Sequence, residues 1–194
     1  MSRISTVRVL ISKNMPAIAI VLVSVVILGG RAISAQDKYT VQVPNGLALS
    51  EFRGYESWPV IAISENSGKI AMILGNSVMI DAYKQGVPGN GQPFPDGAKM
   101  VKVHWNPKKQ EAYPGGPTVP DTQHDVDGMV KDSKRFADSG GWGWGAFEYD
   151  TASDTFSPAT EANSPPQAHD AKCGFACHTI VKTRDYVFTD YAHR

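Results

Sequence analysis

The only two cysteines of the chain lie close together near its C-terminus, directly before a histidine. They belong to the run Cys173-Gly174-Phe175-Ala176-Cys177-His178. A C-x-x-C-H run attaches a c-type haem, because the two thiols add to the haem vinyl groups and the imidazole binds the iron. The spacing here is C-x-x-x-C-H, one residue longer. The residues alone leave three interpretations open: covalent haem attachment, a Cys173–Cys177 disulfide, and free or metal-binding thiols.

The disulfide is the main alternative to haem. On a helical turn the two cysteines would stand at positions i and i+4, with Cα atoms about 6 Å apart, near the upper end of the disulfide range. Haem attachment also explains why His178 follows directly and why no cysteine is used elsewhere. A zinc site needs about four ligands. The remaining histidines are scattered without metal-type spacing: His104, His124, His169 and His193. We therefore favour haem.

The N-terminus has the pattern of an export signal. Basic residues Arg3, Arg8 and Lys13 precede an apolar segment over residues 15–30, and small residues follow at 32–35. An uncleaved anchor is the alternative, but the apolar run of about 16 residues is shorter than the ~20 that span a bilayer. The pattern predicts a signal peptide over residues 1–35 and a periplasmic or secreted protein, in a compartment that permits disulfides.

The mature chain has the size of one domain. Cleavage leaves 159 residues, with 15 basic and 19 acidic side chains, a net charge of −4. A mildly acidic exported protein is not expected to bind nucleic acid. We predict a flexible arm over residues 36–50 and one domain over residues 51–194, large enough to bury a core.

The elements that must position these residues are mainly short strands. Apolar runs in residues 55–64 and 69–74 flank a turn cluster and predict a β-hairpin. Asn76 or Ser77 then caps a short helix through Lys84. This part of the chain is therefore expected to begin an antiparallel sheet.

Three later stretches are predicted to contain no strand. Residues 87–97 and 106–121 are rich in proline and glycine and predict loops, and the polar residues 151–166 predict a surface linker. Asp132 or Ser133 is expected to cap a turn of helix.

Two stretches alternate in the way that strands do. Residues 142–149 carry aromatic side chains at alternate positions, with glycines between them that indicate close approach of another group. Residues 98–105 have an apolar core face and a mixed opposite face. The core face holds Val101, Val103 and Trp105, and the opposite face holds Met100, Lys102 and His104. Together the patterns predict a mainly β fold of the α+β class, with an antiparallel sheet and a few short helices, one of which carries Cys177 and His178.

Several segments between about residue 50 and residue 191 occur in the order found in one known family. They are Trp58-Pro59; Phe94-Pro95-Asp96-Gly97-Ala98 leading to Lys102; residues 130–137 (VKDSKRFA); Gly141-Trp142-Gly143; Cys177-His178; and Asp185-Tyr186-Val187-Phe188-Thr189. The sequence thereby resembles the cytochrome P460 family of exported c-type haem proteins, which includes the β-type cytochromes c′. The resemblance implies a mainly antiparallel β fold, a homodimer, and His178 as the proximal iron ligand with an open distal side.

The resemblance also assigns a role to Lys102. In the cytochrome P460 enzymes a lysine on the strand after the D-G-A run is cross-linked to the porphyrin, and Lys102 falls at that position, as a cofactor-binding and catalytic residue. The first haem cysteine of the family would fall at Gly174, whereas this chain has Cys173. Either both thioethers form, or Cys177 alone is attached.

The function then depends on the open face of the iron. No methionine stands out as a sixth ligand, since all four within the domain are placed like core residues: Met72, Met79, Met100 and Met129. The resemblance implies hydroxylamine oxidation for cross-linked members, which would need a redox partner such as a small cytochrome, and nitric oxide binding for the c′ type. Three hypotheses follow: a hydroxylamine-oxidising haem enzyme, a non-catalytic haem protein that binds nitric oxide or carries electrons, and a haem-free domain with the disulfide. Candidate distal acids or bases are Asp96, Asp125, Asp132 and Glu148.

Overall fold

The computed structural model describes residues 37–42, 47–159 and 169–192. A six-stranded antiparallel sheet, with its strands in chain order, forms the centre of the described part. The strands are β1 (Val60–Asn66), β2 (Lys69–Gly75), β3 (Lys99–Lys109), β4 (Thr118–Lys131), β5 (Trp142–Asp150) and β6 (Thr155–Pro158). Helix α1 (Ser77–Lys84) follows β2 and helix α2 (His169–His178) follows β6. Short 3-10 helices lie at Lys38–Thr40, Leu49–Phe52, Tyr55–Ser57, Ala137–Ser139 and Thr179–Arg184. The mainly β fold with a few short helices is confirmed.

Local sequence explains the first half of the sheet. The β1–β2 hairpin turns at Ser67 and Gly68, which both have positive φ (52° and 71°), as a two-residue turn matched to the twist of its strands requires. Asn76 caps α1, because its side chain accepts a hydrogen bond from the Met79 N–H at 3.0 Å. The predicted hairpin and helix are both confirmed.

The two faces of β3 contact different parts of the chain. On the core face Val101 and Val103 are buried, as the alternation predicted. The 3-10 segment before β1 covers this face so closely that a Cβ atom on Gly128 would lie 2.3 Å from the ring of Phe52. The opposite face carries Lys102 and is the one against which α2 packs, through Gly174 and Trp144 of β5.

For two of the three stretches predicted to contain no strand, the prediction is wrong. Residues 106–121 contain the end of β3 and the start of β4, so the loop there is short. The polar stretch 151–166 contains β6, which buries Phe156 beside Tyr149. The predicted helical turn is a single hydrogen-bonded turn, in which the Asp132 carboxylate accepts from the backbone N–H of Arg135.

The described part of the predicted flexible arm is packed into the core. Tyr39, Leu47 and Leu49 are all buried, so the prediction of a free arm is wrong for these residues. The second of the two compact units of the chain begins at Asp37. The predicted signal peptide lies outside the described residues. None of the helices in the described residues has the length and apolar character needed to cross a membrane.

Candidate functional site

A cavity of about 610 Å³ lies between the sheet and the C-terminal part of the chain. Lys102 reaches it from β3, and Cys177 and His178 reach it from the end of α2. Its walls are otherwise largely apolar and include Ile73, Met100, Met129, Trp144, Val187 and Phe188. The fold thus brings together three residues that the sequence analysis had selected at positions far apart in the chain.

Helix α2 is held against the sheet at Gly174. A Cβ atom on this residue would lie 2.7 Å from Cγ of Trp144, so only glycine permits the approach. The ring of Phe175 packs beside the same tryptophan, with centroids 5.9 Å apart. Gly174 is also the position at which the resemblance places the first haem cysteine. The tight contact with β5 leaves no room for a cysteine side chain at this position.

The imidazole of His178 is oriented by one hydrogen bond. Its Nδ1 lies 2.6 Å from the backbone carbonyl oxygen of Tyr186. A carbonyl only accepts, so Nδ1 carries the proton and Nε2 keeps a lone pair for a metal. Burial lowers the pKa of His178, and the charge of Lys102 lowers it further, against a raising by the hydrogen bond to Tyr186. The ring is therefore neutral at pH 7, the form that binds metals.

Cys177 carries a free, exposed thiol on the same wall. The structure therefore holds no Cys173–Cys177 bridge, which was the basis of the haem-free hypothesis. A thiol beside a neutral imidazole is the pair that the haem interpretation requires at the end of α2.

Lys102 is half-buried at the middle of the sheet. It lies in register with Ile73 of β2 on one side and with Asp127 of β4 on the other. Of the acidic residues that the structure describes, Asp127 alone lines the cavity. The sequence analysis missed Asp127 because β4 had not been recognised, and the alternation of Asp125 and Asp127 within that strand is the signal that was available.

The four acids selected from the sequence lie outside the cavity. Asp96 accepts hydrogen bonds from the backbone and hydroxyl of Ser133, Asp132 caps a turn, and Glu148 is exposed in register with Asp125. None of the four lines the cavity, which does not favour them as the distal acid or base.

A second polar cluster lies on the same sheet face. Asp125 accepts hydrogen bonds from His104 and from His124. Atoms of His104, Asp125 and Asp127 lie within 4.8 Å of one another, a spacing that would admit a metal ion. His104 is the one sequence-selected histidine in this cluster, and its neighbours are two aspartates rather than other histidines. The hydrogen bond between His104 and Asp125, with Asp127 3.9 Å from the His104 Nδ1, accounts for the cluster without an ion.

The cavity fits a haem by its size and its chemistry. Its volume lies within the range of about 300–1,000 Å³ that small-molecule sites have. Its apolar walls suit a flat macrocycle, while a neutral imidazole and a thiol at consecutive positions offer an iron ligand and an attachment point. His178 would hold the iron and Cys177 the macrocycle edge.

The comparison with family models agrees with this chemistry. The model described as cytochrome P460 matches residues 52–189, a span that includes every strand and the whole of the cavity wall. Among curated proteins no match is found.

Proposed function

Because the chain belongs to the cytochrome P460 family, we propose that this haem protein is an exported c-type cytochrome that oxidises hydroxylamine or a related small nitrogen compound. The observation that supports the proposal best is that Lys102, Cys177 and His178 line one cavity. A motif near the C-terminus and a lysine on a central strand could therefore both contact one bound group.

Each of these residues takes one role in the proposal. His178 binds the iron through Nε2, and Cys177, with or without Cys173, attaches the macrocycle as a thioether. Lys102 would contact the porphyrin edge, where the family resemblance implies a cross-link. A bound haem would supply an iron centre able to take electrons from a small nitrogen compound.

Proton removal is assigned to Asp127. Oxidation of hydroxylamine releases protons as well as electrons, and a carboxylate at the cavity wall is a general base for them. Asp127 lies in register with Lys102 on the neighbouring strand, so its carboxylate is close to the residue proposed to hold the macrocycle edge. The electrons pass to a separate redox partner, for which a small exported cytochrome is proposed.

Mass and spectrum test the proposal. The full chain is produced with c-type assembly machinery in a periplasm, and the mature protein is weighed and its ferrous spectrum recorded. We expect the added mass of one haem, a red-shifted Soret band, and loss of that shift in Lys102→Ala. Lys108→Ala is the matched control, because Lys108 lies on the same strand but is exposed and paired with Asp121. A mature protein without added haem mass overturns the proposal.

A non-catalytic haem protein that binds nitric oxide is the second candidate. It is favoured by the apolar side chains that crowd the cavity, since Met100, Met129 and Phe188 suit a small neutral ligand. An ordinary c-type spectrum that Lys102→Ala leaves unchanged, together with no hydroxylamine turnover, would decide for this function.

A further inference from the structure

The carbonyl that orients His178 belongs to a sharp turn of unusual backbone. Asp185 and Tyr186 follow one another with positive φ, 48° and 63°. Residues other than glycine seldom adopt this left-handed conformation, and two in succession are rarer. Such a conformation persists when surrounding contacts determine it, and it is often found at functional sites.

A buried ion pair fixes the first of these residues. One carboxylate oxygen of Asp185 accepts a hydrogen bond from the Lys131 ammonium at 2.7 Å, and the other accepts from the backbone N–H of Phe94 at 2.7 Å. Lys131 also donates to the carbonyl of Gly140 at 2.9 Å. The side chains of Lys131 and Asp185 are only 7% and 11% exposed. The turn is thereby tied to the end of β4 and to two loops.

Packing fixes the second residue. The ring of Tyr186 lies so close to Gly140 that a Cβ atom there would be 2.2 Å away, and it stacks on Phe175 of α2 with centroids 5.9 Å apart. The Tyr186 N–H donates to the carbonyl of Val181 at 3.1 Å. Because the Asp185 side chain and the Tyr186 ring and N–H are all held in place, the Tyr186 carbonyl is fixed as well. It points toward Nδ1 of His178.

We propose that the Lys131–Asp185 ion pair is a positioning device for His178: it holds the turn whose Tyr186 carbonyl receives the Nδ1 proton. A hydrogen bond to the second nitrogen of a metal-bound imidazole sets the ring orientation and raises its basicity as a ligand. Neither Lys131 nor Asp185 lines the cavity, so both act through the turn. The inference rests on the proposed ligation of haem iron by His178.

The test uses the full chain loaded with haem and does not depend on activity. Asp185→Asn keeps an oxygen for the Phe94 N–H and removes the charge that binds Lys131. We expect the iron–histidine stretching band of the ferrous protein, measured by resonance Raman, to shift to lower frequency and the reduction potential to rise. Asp190→Asn is the matched control, because it breaks the exposed Arg184–Asp190 pair in the same segment; we expect both readouts to stay at wild-type values.

A second variant separates positioning from folding. Lys131→Met combined with Asp185→Asn removes both charges and leaves neither buried alone, so it is expected to fold and to show the same two shifts. If either variant melts at lower temperature but keeps the wild-type band and potential, the pair is merely structural and the inference is overturned. A wild-type protein that binds haem without an iron–histidine band would instead overturn the proposed ligation and, with it, this inference.

Discussion

An acid and an amine lie side by side at the wall of the cavity, because Asp127 of β4 is in register with Lys102 of β3. Cross-strand neighbours on one sheet face have Cβ atoms about 5 Å apart. A small substrate bound beside Lys102 is thus within reach of the Asp127 carboxylate. Position within the sheet, rather than residue type, distinguishes Asp127 from the other acids of the chain.

Replacement of Asp127 tests its role as a base. We expect Asp127→Asn to lower kcat for hydroxylamine oxidation by about 100-fold or more, since an amide cannot accept the proton. The measurement is steady-state turnover with an artificial electron acceptor, at equal haem content. Asp96→Asn is the control, because Asp96 is bonded to Ser133 and lies outside the cavity. Equal turnover in the two variants would contradict the assignment.

Asp125 gives a prediction about acid stability. Burial raises the pKa of Asp125, but the hydrogen bonds and charges of His104 and His124 outweigh burial and hold the pKa below its ordinary value of 3.8. A carboxyl whose pKa is lowered by folding stabilises the protein above its unfolded-state pKa, and this stabilisation is lost as the pH falls through the folded-state pKa.

We therefore expect Asp125→Asn to have a lower free energy of unfolding than the wild type at neutral pH. This difference in free energy should shrink below about pH 4. Chemical denaturation at a series of pH values measures the difference. Asp121→Asn, which alters an exposed pair with Lys108, should show a small difference at every pH. If the difference in free energy of unfolding between Asp125→Asn and the wild type is the same at pH 3 and at neutral pH, the histidine contacts are not what stabilises the protein through Asp125.

At the scale of elements, one glycine decides how α2 meets β5. Alanine is favoured over glycine in a helix by about 0.8–1 kcal/mol. At Gly174, however, the added methyl group would lie 2.7 Å from the Trp144 ring, so the helix or the ring must move. Because Cys177 and His178 follow on the same helix, that movement displaces both of them.

We expect Gly174→Ala to lower the melting temperature and the fraction of protein that acquires haem. Thermal unfolding and the ratio of haem absorbance to protein absorbance are the two measurements. Ala176→Ser, at an exposed position of the same helix, is expected to change neither. A higher melting temperature in Gly174→Ala would mean that helix propensity outweighs the contact with Trp144.

The strands that the sequence predicts are those with a clear apolar face. Strand β3 alternates cleanly, with Val101 and Val103 on its core face. Strand β4 does not, because Pro120 and a series of polar residues occupy its first half, and its buried residues are confined to its second half. Strand β6 has only four residues, of which Phe156 alone is buried. Both strands are specified by pairing with neighbours, which a local pattern does not contain.

Some residues of the site could likewise be predicted from the sequence, and others could not. Local spacing was enough to select Cys177 and His178, and resemblance to a family was enough to select Lys102. Asp127 depends on the register between two strands, and Asp185 depends on a turn far from its partner Lys131. Contacts of this kind join residues 25 or more positions apart in the chain, so the sequence alone did not indicate them.

At the scale of the whole molecule, the described sheet has two edges, β1 and β6. An exposed edge strand offers unpaired backbone groups to other chains, and natural proteins cover or shorten such edges. Strand β6 is short. Strand β1 has seven residues and carries Ile63, whose exposed fraction is 71%. The homodimer implied by the family resemblance would cover β1 and its isoleucine.

We predict that the mature protein sediments as a dimer and that Ile63→Glu sediments as a monomer, because a carboxylate buried without a partner opposes association. Analytical ultracentrifugation over a range of concentrations gives both masses. Tyr113→Glu is the control, since Tyr113 is also exposed, at 62%, but lies in the loop between β3 and β4, away from the β1 edge. A dimer that survives Ile63→Glu would place the interface elsewhere, whereas a monomeric wild type would show the dimer prediction to be wrong.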